Sequence, residues 1–242
     1  MRSVKQLFLC SLLLLSACGG RTKSGEVDGN PLKSDPKKLV FLLSIRALPT
    51  SIGPVVVGEV QNRSSGPVEN VKLTVKLTDK QGGDIGEDFG FALLRVLAPS
   101  AKAPFEIPFP GNKSKSAVGK VEADLEAQAG GAGKSVTLGI SDNRGRKIGE
   151  VLYEVTGTVT NTNSSRVTKP KVVATFYDSK GSVVGARDAF IDPEDMGPGQ
   201  TGRFRITLPE RNKLVSRYTL VAEGSTEPRA EFPTAPPAPT NP

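Results

Sequence analysis

Cysteine, carboxylates and hydroxyls are the groups with which this chain could do chemistry, because its 242 residues contain no histidine. That removes Ser-His-Asp and Cys-His machinery and His-ligated zinc or copper. The two cysteines are Cys10 and Cys18. Cys10 sits within an apolar run, whereas Cys18 follows that run among small residues. The acidic stretch Asp192-Pro193-Glu194-Asp195 offers three carboxylates of the kind that hold Ca²⁺. No bound ion is expected there, because the corresponding stretch of the internal repeat described below, Leu93-Leu94-Arg95-Val96, carries no acid. Paired carboxylates for glycoside hydrolysis need a cleft to work in, and no acid here lies in an apolar aromatic context. The sequence thus predicts no catalytic residue, no metal site and no cofactor.

The chemistry that remains belongs to Cys18. Arg2 and Lys5 precede an apolar run from Leu7 to Leu15, which is the charge-then-apolar order of an export signal. The run is shorter than the roughly 20 apolar residues a membrane-spanning helix needs. Leu15-Ser16-Ala17-Cys18-Gly19 then resembles the lipobox of bacterial lipoproteins. The resemblance implies cleavage before Cys18, diacylglyceryl on its thiol and acylation of the new amino group. More than one acyl chain gives stable anchoring, at about 0.8 kcal/mol for each buried CH₂. Gly19, where Asp would signal inner-membrane retention in enterobacteria, resembles the outer-membrane default. With Cys10 lost and Cys18 lipidated, the body would have neither thiol nor disulfide and would rest on packing alone.

Composition bounds the partners. The formal charge is +7, and loss of residues 1–17 would take Arg2 and Lys5 with it. The basic residues are scattered, without aromatic interleaving, so nucleic acid is not an expected partner. The scattered charge reads first as a solvated basic surface, with attraction to anionic lipid heads or acidic wall polymers as the alternative.

The elements that must position these groups come from a duplication. Val56-Val57-Gly58-Glu59-Val60-Gln61-Asn62 matches Val155-Thr156-Gly157-Thr158-Val159-Thr160-Asn161 at an offset of 99 residues. The same offset pairs Asp79 with Asp178, Gly82 with Gly181, Pro99 with Pro198 and Phe105 with Phe204, without a gap. Each copy alternates apolar and polar residues, as in Val71, Leu73, Val75 and Leu77 against Lys72, Thr74, Lys76 and Thr78, which predicts half-buried strands. Val172, Ala174 and Phe176 against Lys171, Val173, Thr175 and Tyr177 read the same way. Leu39 to Ile45 reads as the first strand of copy one and Val136 to Ile140 as its counterpart. Asp79 to Gly83 and Asp178 to Gly181 read as tight turns. Asn62 and Asn161 recur at strand ends and are expected to bond loop backbone. Short strands in units of about 100 residues predict an all-β chain of two tandem immunoglobulin-like β-sandwiches, without the Cys-Trp-Cys core of antibody domains.

Gly-x-Val-x-Asn, the strand ending Phe176-Tyr177-Asp178, Val183-Val184-Gly185 and Pro198-Gly199 resemble the FxLyD-type domains of prokaryotic lipoproteins. Copy two matches more closely than copy one, which has Leu77-Thr78-Asp79; Ala174 and Val75 stand where the name motif has Phe. The resemblance implies extracytoplasmic β-sandwiches and transfers no catalytic residue.

The expected organisation is a signal peptide (1–17), a lipidated tether (18–36), a first sandwich (37–128), a second (134–226) and a Pro-rich tail (227–242). The tether would reach on the order of 20–25 Å as a flexible coil, and the tail would favour polyproline II. Ala127 to Gly133 is expected to join the sandwiches. Phe89-Gly90-Phe91-Ala92-Leu93-Leu94 reads as an apolar loop of copy one that covers the sandwich end or, alternatively, exposes a docking patch. Together these features predict a lipid-anchored, non-enzymatic scaffold of the cell envelope that binds a protein partner. The alternatives are a wall- or polysaccharide-binding module, or an accessory subunit of an envelope-spanning secretion, transport or motility machine.

Overall fold

A computed structural model describes residues 27–28, 39–111 and 118–226. The expected signal peptide, Cys18 and the Pro-rich tail lie outside these residues. The chain is all-β and builds two immunoglobulin-like β-sandwiches.

The first repeat opens with β1 (Val27–Asp28), then β2 (Val40–Thr50), β3 (Gly53–Asn62), β4 (Val68–Asp79) and β5 (Asp84–Phe91). It closes with β6 (Val96–Leu97), β7 (Lys102–Pro108) and β8 (Val118–Ala129). One sheet runs β1-β2-β3-β7; in the other, β4 is flanked by β8 on one side and by β5 and then β6 on the other. The second repeat comprises β9 (Ser135–Thr137), β10 (Gly139–Ile148), β11 (Leu152–Thr160), β12 (Val167–Tyr177) and β13 (Val183–Phe190). It ends with β14 (Asp195–Met196), β15 (Thr201–Pro209) and β16 (Arg217–Ser225). Its sheets are β10-β11-β15 and β13-β12-β16-β9, with β14 beside β12.

The offset of 99 residues holds in space. Val57 pairs with Glu106 and Thr156 with Arg205. Irregularities fall between Leu42 and Ser44 in β2, and between Ser141 and Arg144 in β10. Alternation puts Val56, Val60, Leu73, Val75, Phe105 and Ile107 in the first core. Phe176, Phe204, Ile206 and Leu208 lie in the second. Gly58 and Gly157 explain the Gly of the repeated motif. A Cβ on Gly58 would lie 2.0 Å from the Ser44 carbonyl oxygen and 2.7 Å from the Phe105 ring, and one on Gly157 2.6 Å from Phe204.

Four sequence expectations need correction. The first strand runs on to Thr50, and its counterpart is β10. Val136 belongs instead to β9, which joins the other sheet beside β16. Part of the expected tether is bonded to the body, since Val27 and Asp28 pair with Ala47 and Arg46. The expected joining segment is strand as far as Ala129 and then a turn through Gly130, Gly131 and Gly133, all with positive φ. Finally, Phe89-Gly90-Phe91 is no loop. It ends β5 at the position that Phe190 ends β13.

Candidate functional site

The largest departure from a simple tandem is the seam between the repeats. β12 is buried on both faces over most of its length, whereas β4 alternates. Val172, Ala174 and Phe176 face their own core; Val173 joins the core of the first repeat. In return Leu48, Val55 and Val57, on the outer face of β2 and β3, join the core of the second. The sequence carried this signal weakly: the outward positions are Lys72, Thr74, Lys76 and Thr78 in copy one but Lys171, Val173, Thr175 and Tyr177 in copy two.

Charge is buried around this apolar centre. Glu106 accepts hydrogen bonds from Arg211 Nη2 at 2.7 Å and Nη1 at 3.0 Å and from the Ala186 amide at 2.9 Å, and it pairs with Arg187. Glu106 and Arg211 are each 4% exposed at the side chain. Arg46 donates to Asp178 Oδ2 at 3.0 Å. The Tyr177 hydroxyl donates to Glu59 at 2.7 Å, and Arg217 stacks 3.8 Å from the Tyr177 ring centroid. Burial raises the Tyr177 phenol above its ordinary value, and Glu59 adds to the rise. For Asp178 burial pushes upward, but hydrogen bonds from the Ser182 amide and from Arg46 outweigh it and leave the carboxyl below its ordinary value. At the other end of the seam Glu223 accepts from the Arg95 amide at 3.0 Å and lies 3.6 Å from Lys171. Buried charges of this kind hold only when paired and bonded.

The residues singled out from the sequence take these places. Asn62 is fully buried and donates to the Gly66 and Leu97 carbonyls, both at 2.8 Å, while its Oδ1 accepts from the Ser64 amide. Asn161 repeats the arrangement with Ser165, Met196 and Asn163. Asp79 and Asp178 each cap their turn through two backbone amides. Asp195 lies in β14, and among the described residues no group of three or more His, Cys, Asp or Glu is placed to hold a metal ion.

Two open surfaces remain. On β5, an edge strand bonded only to β4 among the described residues, Phe89 and Phe91 are 57% and 51% exposed. Their rings meet edge to face at 6.2 Å, with the Lys72 ammonium 5.1 Å from Phe89. These two rings do not cover the sandwich, which corrects the first expectation for their half of the segment, whereas Leu94 is buried in the first core with Ala92 and Leu93 packed against it. On β10-β11-β15 a hollow of about 590 Å³ is lined by Asp142, Thr156, Thr158, Arg203 and Arg205. The sequence missed this hollow because its arginines are spaced like any solvated strand residues.

No family model and no curated protein matches this chain. Among solved structures, the crystal structure of red sea bream transglutaminase is similar over 78% of this chain, at 9% identity and a TM-score of 0.24. The chain spans 29% of that enzyme's length.

Proposed function

We propose that this protein is a lipid-anchored, non-enzymatic scaffold of the bacterial envelope, held at a membrane through Cys18, that docks an extended segment of another envelope protein along β5. The observation that carries the docking surface is the pair of exposed rings, Phe89 and Phe91, on an edge strand. An edge strand offers unpaired backbone groups that a partner strand can take up, and alternate side chains then give selectivity. Exposed aromatics are costly in solution and are common anchors at interfaces. The seam supports the same reading, because it ties the second repeat to the first and holds β5 on a stiff base. The anchor rests on the Leu15-Ser16-Ala17-Cys18 resemblance.

The test is photocrosslinking in cells from probes placed at Phe89 and Phe91, in the parent chain and in Cys18→Ser. The expected result is one dominant envelope protein captured from both positions, with capture reduced and the chain lost from the membrane fraction in Cys18→Ser. Membrane retention of Cys18→Ser contradicts the anchor. Capture from control positions on β10 but not from β5 contradicts the docking surface.

A further inference from the structure

We infer that this chain associates head to tail with further copies of itself, through a contact that repeats the internal seam with its charges exchanged. In the seam, the outer face of β2-β3-β7 receives the β12-β13 face of the second repeat. Each of those faces has a counterpart in the other repeat at the offset of 99 residues, and both counterparts are open.

The free receiving face is that of β10-β11-β15. Where the seam has Leu48, Val55, Val57 and Glu106, this face has Arg146, Glu154, Thr156 and Arg205, β10 standing one residue off the offset. The free inserting face is that of β4 with the edge strand β5; Asp84 and Glu87 lie on its outer side, and Asp88 stands at the edge opposite the inward-facing Val75, as Arg187 stands opposite Ala174. Where the seam has Val183, Ala186 and Arg187, it has Asp84, Glu87 and Asp88. Receiving Glu106 against inserting Arg187 thus becomes receiving Arg205 against inserting Asp88. The sign is reversed on both sides, so the two free faces complement one another as the seam faces do. Apolar seam positions are replaced by Arg146, the buried Glu154 and Thr156 on one side and by Asp84 and Glu87 on the other.

Local partners do not cancel this arrangement. Arg205 lies 3.0 Å from the buried Glu154 yet is 69% exposed, and Glu154 also takes Arg146 at 2.7 Å. In the seam Glu106 is likewise shared, between Arg187 and Arg211. On the outer face of β4, Lys76 stands opposite Glu87 and Lys72 opposite Phe91, so two cations flank these acids. Like its seam counterpart, this contact joins two different faces, so it leaves one free face at each end and generates an open row of copies. Because its charges are exposed, the contact is weak and screened by salt over about 8 Å at physiological ionic strength. An anionic wall polymer could also meet Arg203 and Arg205, but it would leave the matched acids of β5 without a counterpart.

Sedimentation velocity of the full chain tests this, in a non-ionic detergent that accommodates a lipidated Cys18. The parent chain is expected to form a concentration-dependent ladder of species at low salt, weakened about tenfold or more by 0.3 M salt. Arg205→Glu and Asp88→Arg are each expected to be monomeric. Arg203→Glu, which leaves the partners of Glu154 in place, guards against a folding defect in Arg205→Glu. An equimolar mixture of Arg205→Glu and Asp88→Arg pairs the two intact faces and also sets the introduced carboxylate against the introduced guanidinium, the sign order of Glu106 and Arg187 in the seam, so it is expected to restore the ladder. A parent chain that stays monomeric at low salt overturns the inference, as does a mixture that stays monomeric. A parent chain that is monomeric but binds isolated cell walls, and loses that binding in Arg203→Glu, also overturns it and assigns the face to an anionic polymer.

Discussion

Removing the amide of Asn62 would strand the buried Leu97 carbonyl oxygen, which now accepts a hydrogen bond at 2.8 Å, and would leave the Gly66 carbonyl to the Ser64 hydroxyl. An unpaired buried polar group costs about 1–3 kcal/mol. Asn62→Ala is therefore expected to lose about 2 kcal/mol in urea unfolding, and Asn161→Ala a similar amount. Asp178 carries a pH dependence. Its carboxyl titrates below its ordinary value of 3.8 in the fold. The stabilisation is complete above that value and disappears as the pH falls through the folded one. Asp178→Asn keeps the side-chain oxygen that caps the turn but loses the charge facing Arg46. The urea midpoints of the parent and Asp178→Asn are expected to differ near neutrality and to converge in acid; a constant gap contradicts the ion pair. At this scale the sequence was informative where chemistry is local. The Asn and Asp roles follow from turn spacing, whereas the partners of Glu106 come from distant strands and leave no mark on its neighbours.

Strands were legible through alternation, and the repeat confirmed each twice. The errors arose where alternation is ambiguous. Phe89-Gly90-Phe91 read as a loop because its apolar residues point outward and its inward position is a glycine against Ile107. Val136 to Ile140 read as one strand, although the chain changes sheets at Leu138. The seam tests the difference between β4 and β12. Val173→Lys would bury an unpaired charge and is expected to cost more than 2 kcal/mol, while Thr74→Lys at the matching position of β4 is expected to stay within about 0.5 kcal/mol. Both are read by chemical denaturation. Phe89→Ser with Phe91→Ser is expected to leave the unfolding midpoint nearly unchanged, because both rings are exposed, and to abolish capture of the docked partner.

For the molecule as a whole, the seam makes two duplicated sandwiches into one body. Its apolar centre and buried ion pairs should couple their unfolding, against the ordinary expectation of loosely linked tandem domains. The amino-acid content provides a direct measurement. The chain has three tyrosines and no tryptophan, and Tyr153, Tyr177 and Tyr218 all lie in the second repeat. Intrinsic fluorescence therefore reports on the second repeat and, through Tyr177 against Glu59, on the seam, while far-ultraviolet circular dichroism reports on both repeats. Followed together through a urea titration, the two signals are predicted to give superimposable transitions with a single midpoint. A tyrosine transition separated from the dichroism, or a dichroism curve with two steps, would contradict the fused seam.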